Sequence, residues 1–316
     1  MALPDRGPPD LVRPAMHPSP GISLRHRGYR SIIPAMSESS APIRGTVPAT
    51  FVVIPTYNEA SNLPPLVSEL FALPISNLHI VVVDDNSPDR TGEVAERLRQ
   101  LYPRHLHVIH RPGKAGLGSA YRDGFTYALA HDAEHIVQMD ADFSHSPGYI
   151  PEFVRQLGDY DVVVGSRYVP GGRLDQRWSW WRHLLSWWAN SVYTRLILHL
   201  PLHDATAGFK CWSRHCLSSV LAYPAHSNGY IFQVEMAYLA HKLGFRSLEL
   251  PIYFEDRRIG RSKMSNSIKF EATWRTWYLR WRYRHVHPLS RPPAETATPA
   301  GNAAAPQVAG GALDQS

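Results

Sequence analysis

With 316 residues, 44% of them hydrophobic and 19% charged, the chain is long enough for one sizeable globular domain or two modest ones with a true core. Its net charge is +6 and it holds two cysteines, Cys211 and Cys216. One C-x4-C pair leaves zinc short of ligands and excludes a disulfide scaffold, so reduced structural thiols in a cytoplasmic compartment are expected. No run of about 18 uncharged apolar residues occurs and no secretory h-region opens the chain, so no bilayer-spanning helix is expected.

Residues 1–47 are rich in Pro, Ser, Gly and Arg without periodicity, and 288–316 are rich in Pro, Ala, Gly and Thr. Such composition cannot bury enough apolar area to offset ordering entropy, so both read as disordered tails around a folded 48–287. "TFVVIPTYNE" (50–59) reads as a buried strand broken by Pro55, then a turn. "SNLPPLVSELFAL" (61–73) reads as a helix capped by Ser61 or Asn62 with its prolines in the first turn. Residues 78–102 give strand, acidic turn and helix, and 106–131 repeat that order around a glycine-punctuated turn. A fourth strand over 135–145, a helix from Tyr149 and a fifth strand over 160–168 follow.

Strand and helix alternating at intervals of about 30 residues predict right-handed βαβ units and a mostly parallel, Rossmann-like α/β sheet with helices on both faces. Ligands of such sheets bind beyond the carboxyl ends of the strands. "PTYNE", "DDNSPD", "RPGKAGLG", "DADFSH" and "GSRY" all fall at those predicted ends. Any one could be a polar loop; five together predict a site.

Beyond residue 170 the texture changes, and 170–287 reads as a second half following 48–169. A Trp-dense helix is predicted over 178–200, a turn and short strand over 204–214, a helix over 229–244, a last strand over 247–258 and a basic aromatic helix over 267–285. Between Arg257 and His287 nine Lys/Arg face one acid, Glu271. Such a stretch attracts phosphate in nucleotides, nucleic acid or lipid headgroups, or is simply a solvated face. Because Trp is interleaved with the charge and no nucleic-acid module is present, no nucleic-acid partner is expected.

The chemistry concentrates at Asp140 and Asp142. A D-x-D pair on a strand projects both carboxylates to one side, because side chains alternate with period two. Unneutralised, the two would raise each other's pKa. Mg2+ or Mn2+ resolves that conflict by binding carboxylate oxygens together with substrate phosphates. Asp84 or Asp85 could accept hydrogen bonds from a base or ribose. "GKAGLG" lets backbone approach a ligand, but lacks the G-x-G-x-x-G and G-x-x-x-x-G-K-[ST] spacings, which counts against a dinucleotide oxidoreductase or an NTPase.

The ordered set "PTYNE", "DDNSPD", "KAGLGSAYRDG", "MDADFSH", "GSRY", "DATAGFK", "GYIFQVEM" and "RRIGRSKMS" resembles the polyprenol-phosphate (dolichol-phosphate) mannosyltransferases of the inverting GT-A glycosyltransferase family 2, from about residue 51 to 285. The resemblance implies a GT-A fold and mannose transfer from GDP-mannose to a polyprenyl or dolichyl phosphate, with Mg2+ or Mn2+. It implies that Pro55, Tyr57 and Glu59 line a nucleoside pocket, with Asp84 and Asp85 near base and ribose. Lys114, Gly116, Gly118 and Ala141 would lie by the nucleotide, and Asp140 and Asp142 would hold the metal. Arg167 and Arg182 would engage phosphates, and Arg257, Ser262 and Lys263 would close over them; Asp142, Arg167, Arg257 and Lys263 are the residues it assigns to catalysis. Asp204, Gln233 and Glu235 would belong to the acceptor half.

The chain departs from that pattern in two places. Ser144 stands where archaeal relatives can carry a metal-ligating Gln, and S-W-W-A-N (186–190) stands where many relatives read S-R-G-A-N. A lipid acceptor implies a membrane surface as partner, at its cytoplasmic face, and leaves room for small anchoring subunits. Eight of the nine tryptophans fall in 178–188 and 274–281. Trp274, Trp277 and Trp281 share a helical face beside Arg275, Arg280, Arg282 and Arg284, which suits an interfacial helix; core or oligomer contacts are the other reading. A UDP-sugar transferase acting on the same lipid and a non-catalytic nucleotide-sugar scaffold are the rival functions.

Overall fold

A computed structural model of the chain describes residues 47–175, 187–224, 227, 229–255 and 266–289. The first half follows the predicted alternation: β1 (Ala49–Thr56), α1 (Leu63–Phe71), β2 (Leu78–Asp84), α2 (Thr91–Leu101), β3 (Leu106–His110), α3 (Leu117–Ala130), β4 (Ala133–Gln138), α4 (Ile150–Gln156) and β5 (Val162–Ser166). The second half contains the short β6 (Arg173–Leu174) and a π-helical turn (Trp188–Thr194) running into α5 (Arg195–Leu198). It continues with β7 (Lys210–Ser213), α6 (Arg214–Leu221), α7 (Tyr230–Lys242), β8 (Ser247–Pro251), β9 (Tyr253–Phe254) and α8 (Asn266–Arg282).

Seven strands form one sheet in the order β3-β2-β1-β4-β7-β5-β8, and β6 pairs with β9 beside it. All neighbours in the large sheet are parallel except β7, which runs antiparallel to both β4 and β5. The expected α/β architecture is therefore present, with one reversed strand at its middle.

The near-continuous apolar strands reflect burial on both faces. In β1, Phe51 and Val53 enter the core shared with α3, α6, α7 and α8, while Val52 and Ile54 enter the core under α1, α2 and α4. Pro55 does not break β1, as the sequence suggested; it stays in register with Val83 of β2. On the other side the pairing with β4 ends at Val53–Gln138, so the N–H that Pro55 lacks has no ladder partner to lose. Asn62 takes the N-cap of α1 without a capping bond, and its amide donates to Glu59 Oε2 at 2.7 Å instead.

Candidate active site

The carboxyl ends of β1, β2 and β4 and the loop after β3 enclose a cleft of about 250 Å³. Pro55, Tyr57, Glu59, Asp85, Lys114, Gly116, Asp140, Ala141 and Asp142, all nominated from sequence, line it together with Thr56, Leu117 and Ala120. The ammonium of Lys114 lies 3.7 Å from the centre of the Tyr57 ring, so a flat aromatic face and a cation share one wall.

Asp85 braces the glycine loop. Its carboxylate accepts the backbone N–H groups of Ala115 at 3.2 Å and Gly116 at 3.1 Å, and Arg111 Nη1 at 2.5 Å. Gly116 sits at φ 96°, which only glycine adopts without strain, and from there α3 begins. Asp84, its neighbour, closes the turn after β2. It is buried, outside the cleft lining, and its oxygens take Ser87 Oγ at 2.5 Å and Ser87 N–H at 3.2 Å. Gly118 is also absent from the lining: a Cβ there would come within 2.8 Å of the Ser227 carbonyl and 3.0 Å of Phe232, so it serves the packing of α3 on α7.

Asp140 and Asp142 do face the same cleft, but not for the reason the spacing gave. β4 ends at Gln138, and both acids lie in the turn beyond it, with Phe143 at φ 63°. Asp142 Oδ1 accepts the Ser144 N–H at 3.1 Å, an Asx-type closure that fixes its carboxylate. Asp140 Oδ1 receives the hydroxyl of Tyr121 at 2.8 Å. Tyr121 is fully buried, and burial followed by the Asp140 charge pushes its pKa well up, so it remains a donor. Behind the pair, His145 Nδ1 accepts the Asp140 backbone N–H at 3.1 Å, which leaves the ring proton on Nε2. The ring is buried and stacked on Phe209 at 5.1 Å, and burial lowers its pKa, so it is a neutral buttress.

Among the described residues no group of three or more His, Cys, Asp or Glu is arranged to hold a metal ion. The two acids nevertheless fit a hard divalent cation: no hydrogen bond from the described residues reaches Asp140 Oδ2, and both carboxylates open on a cleft where phosphate oxygens would complete the shell. Ser144 is buried, with its N–H held by Asp142.

Arg167 and Asp204, assigned separately to phosphate and acceptor, form one unit. Arg167 Nε and Nη2 grip the two oxygens of Asp204 at 2.7 Å each, and Nη2 also reaches Thr206 Oγ1 at 3.0 Å. Glu249 fixes the other side, accepting the N–H groups of His203 at 2.8 Å and Asp204 at 2.9 Å. Glu235 is fully buried and accepts Tyr283 Oη at 2.6 Å and Ser227 N–H at 3.0 Å, tying α7 to the residues after α8. Gln233 is buried in a polar cluster with Gln138, Lys210 and Trp212. Arg182, Arg257, Ser262 and Lys263 lie outside the described residues.

Tyr121, His145 and Lys210 were not nominated, although each stands inside a quoted motif. A lone hydroxyl on the buried face of α3 and a lysine in the apolar "GFKCW" were the available signals. The Trp residues of α8 are exposed (Trp274 72%, Trp277 51%, Trp281 60%), whereas Thr276, Leu279 and Tyr283 form its buried face. Trp187 and Trp188 are exposed as well.

A mostly parallel nucleotide-type sheet with an acidic, lysine-bearing cleft at its carboxyl edge defines a glycosyltransferase of the GT-A kind. Residues 51–218 match the model of glycosyl transferase family 2, and the chain belongs to that family. It is 42% identical over 249 residues to the polyprenol monophosphomannose synthase of Mycolicibacterium smegmatis, covering 78% of this chain and 92% of that one. It is 42% identical over 221 residues to the undecaprenyl-phosphate mannosyltransferase of Micrococcus luteus, covering 70% and 89%. In fold it is similar to the crystal structure of glucosyl-3-phosphoglycerate synthase from Mycobacterium tuberculosis with Mn2+, UDP and phosphoglyceric acid, at TM-score 0.52 and 16% identity over 77% of this chain and 80% of that one.

Proposed function

We propose that the enzyme transfers mannose from GDP-mannose to a polyprenyl monophosphate with inversion, giving a β-linked polyprenyl phosphate mannose. The observation that carries this reading is the joint lining of one cleft by Asp140, Asp142, Lys114 and Tyr57, in a chain 42% identical to the two mannosyl-transferring relatives above. Tyr57 and Lys114 offer the nucleoside a ring face and a cation. Asp140 and Asp142 would hold Mg2+ or Mn2+, which when bound neutralises charge building on the departing diphosphate.

The acceptor phosphate is ionised at neutral pH, so no side chain need act as a strong base. The task of the protein is to hold two anions near each other. The Arg167–Asp204 fork, flanked by the rings of Tyr168 and Phe254 at 5.3 and 5.2 Å, holds the Arg167 guanidinium rigidly in place for that purpose.

A lipid acceptor brings the enzyme to a membrane. No helix among the described residues is long and apolar enough to cross one. The exposed Trp274, Trp277 and Trp281 beside Arg284, which lies 4.7 Å from the Trp281 ring, suit peripheral binding to an anionic surface on its cytoplasmic face. Incubation with labelled GDP-mannose, Mn2+ and a short polyprenyl phosphate should yield label extractable into organic solvent. Label carried over from UDP-glucose instead would reassign the donor, and none from either would refute the reading.

A further inference from the structure

Lys210 has no measurable exposure, and its position at the start of β7 places it between the two halves of the site. It stands opposite Gln138 of β4 and Val164 of β5. Its ammonium donates to the Ala207 carbonyl and, at 3.1 Å, to Gln233 Oε1. Gln233 Oε1 also accepts Gln138 Nε2 at 2.5 Å, and Gln138 Oε1 accepts the Trp212 indole N–H at 3.3 Å. The orientation of both amides is thereby fixed, and Gln233 Nε2 is left buried without a partner. No carboxylate of the described residues touches the ammonium, although a buried charge without an ion-pair partner is costly.

The Ala207 carbonyl belongs to a tight turn, closed by the Ala207 N–H to Asp204 O bond at 3.2 Å, that serves both sides of the site. At one end Asp204 carries the Arg167 fork. At the other, Gly208 lies so close that an added Cβ would be 3.1 Å from His145 Cε1 and 3.5 Å from Asp140 Oδ2. Lys210 therefore holds the turn that seats both Asp204 and the back of Asp140. Burial pushes its pKa down to about 7, while the charges of Asp204 and Asp140 act to raise it.

Resting on the metal-and-diphosphate reading of the cleft, we propose that Lys210 is a positioning residue that couples cation binding to donor binding. In its protonated form the ammonium, held on the turn whose Gly208 abuts Asp140 Oδ2, weakens the grip of the empty cleft on a divalent cation. The diphosphate of the donor restores the negative charge, so cation and nucleotide are taken up together. The same lysine keeps the Asp204 turn in place for the acceptor.

The test is calorimetric titration of Mn2+ into the full chain with and without GDP. Lys210→Met removes the charge with the loss of one chain atom; Lys210→Gln replaces it if that variant does not fold. Neutralisation should tighten Mn2+ binding to the nucleotide-free protein about tenfold, shrink the gain that GDP gives, and lower mannosyl turnover. Lys210→Arg should restore the weak Mn2+ binding of the wild type. A purely structural role would leave Mn2+ affinity unchanged or weakened in the neutral variants, and either result overturns the inference while leaving the site reading intact. Wild-type protein that binds no Mn2+ even with GDP would overturn both.

Discussion

Tyr121 donates its hydroxyl to Asp140 Oδ1 across 2.8 Å, joining the first turns of α3 to the acidic turn after β4. One oxygen of Asp140 is spoken for before any ligand arrives, and the rotamer of the carboxylate is set from behind. Tyr121→Phe removes that donor and leaves a carboxylate oxygen unpaired. Stability should fall by about 1 kcal/mol, and GDP with Mn2+ should bind several-fold more weakly; denaturant unfolding and calorimetry measure the two effects. Unchanged nucleotide affinity would reduce Tyr121 to a packing residue.

The amino end of the sheet, away from the cleft, should be acid-sensitive. Tyr127 Oη lies 3.0 Å from His107 Nδ1, His107 Nε2 lies 3.3 Å from His79 Nδ1, and His79 Nε2 lies 3.0 Å from Asn77 Oδ1. Asn77 Oδ1 only accepts, so every bond is satisfied when both rings are neutral, whereas protonating both sets His79 Nδ1–H against His107 Nε2–H. Burial holds His107 down to about 4 and lowers His79, with His105 and His131 adding to both. The unfolded chain therefore takes up protons first. The stabilisation is whole above about pH 6.5 and is lost as pH falls toward 4. Thermal unfolding should show that slope, and His107→Phe should flatten it; an unaltered slope would place the acid sensitivity elsewhere.

α8 offers a third test. Its buried face of Thr276, Leu279 and Tyr283 leaves Trp274, Trp277 and Trp281 outward, and Arg280 is anchored through the Ile197 carbonyl of α5. Vesicles containing anionic lipid should sediment the protein, less at high salt, and Trp277→Ala with Trp281→Ala should reduce recovery. Equal recovery with neutral vesicles and with the double variant would mean that these rings face something other than a membrane.

Much of this was legible in the sequence, because βαβ alternation constrains a chain strongly: apolar runs flanked by helical patterns left few options for β1 to β5 and placed their polar ends together. The reversed β7 was not legible. Four residues in "KCWS" carry no sign of direction, and no simple strand–helix–strand crossover precedes them. The convergence of Asp140 and Asp142 was anticipated from strand alternation, yet turn geometry after Gln138 produces it. Asp84 and Gly118 show a related effect: a motif marks a neighbourhood, and packing decides which of its members line the cleft. Asp85 braces the glycine loop while its neighbour Asp84 closes a turn, a distinction that depends on three-dimensional partners.

The pairing of two carboxylates around a phosphate-bound cation is best tested by GDP binding in the presence and absence of Mn2+, in wild-type protein and in Asp142→Ala. The wild type should bind GDP only when Mn2+ is supplied, and Asp142→Ala should lose at least about tenfold in affinity, about 1.4 kcal/mol, while unfolding cooperatively like the wild type. GDP binding of equal strength in the variant, or binding indifferent to Mn2+, would contradict the assignment of Asp140 and Asp142.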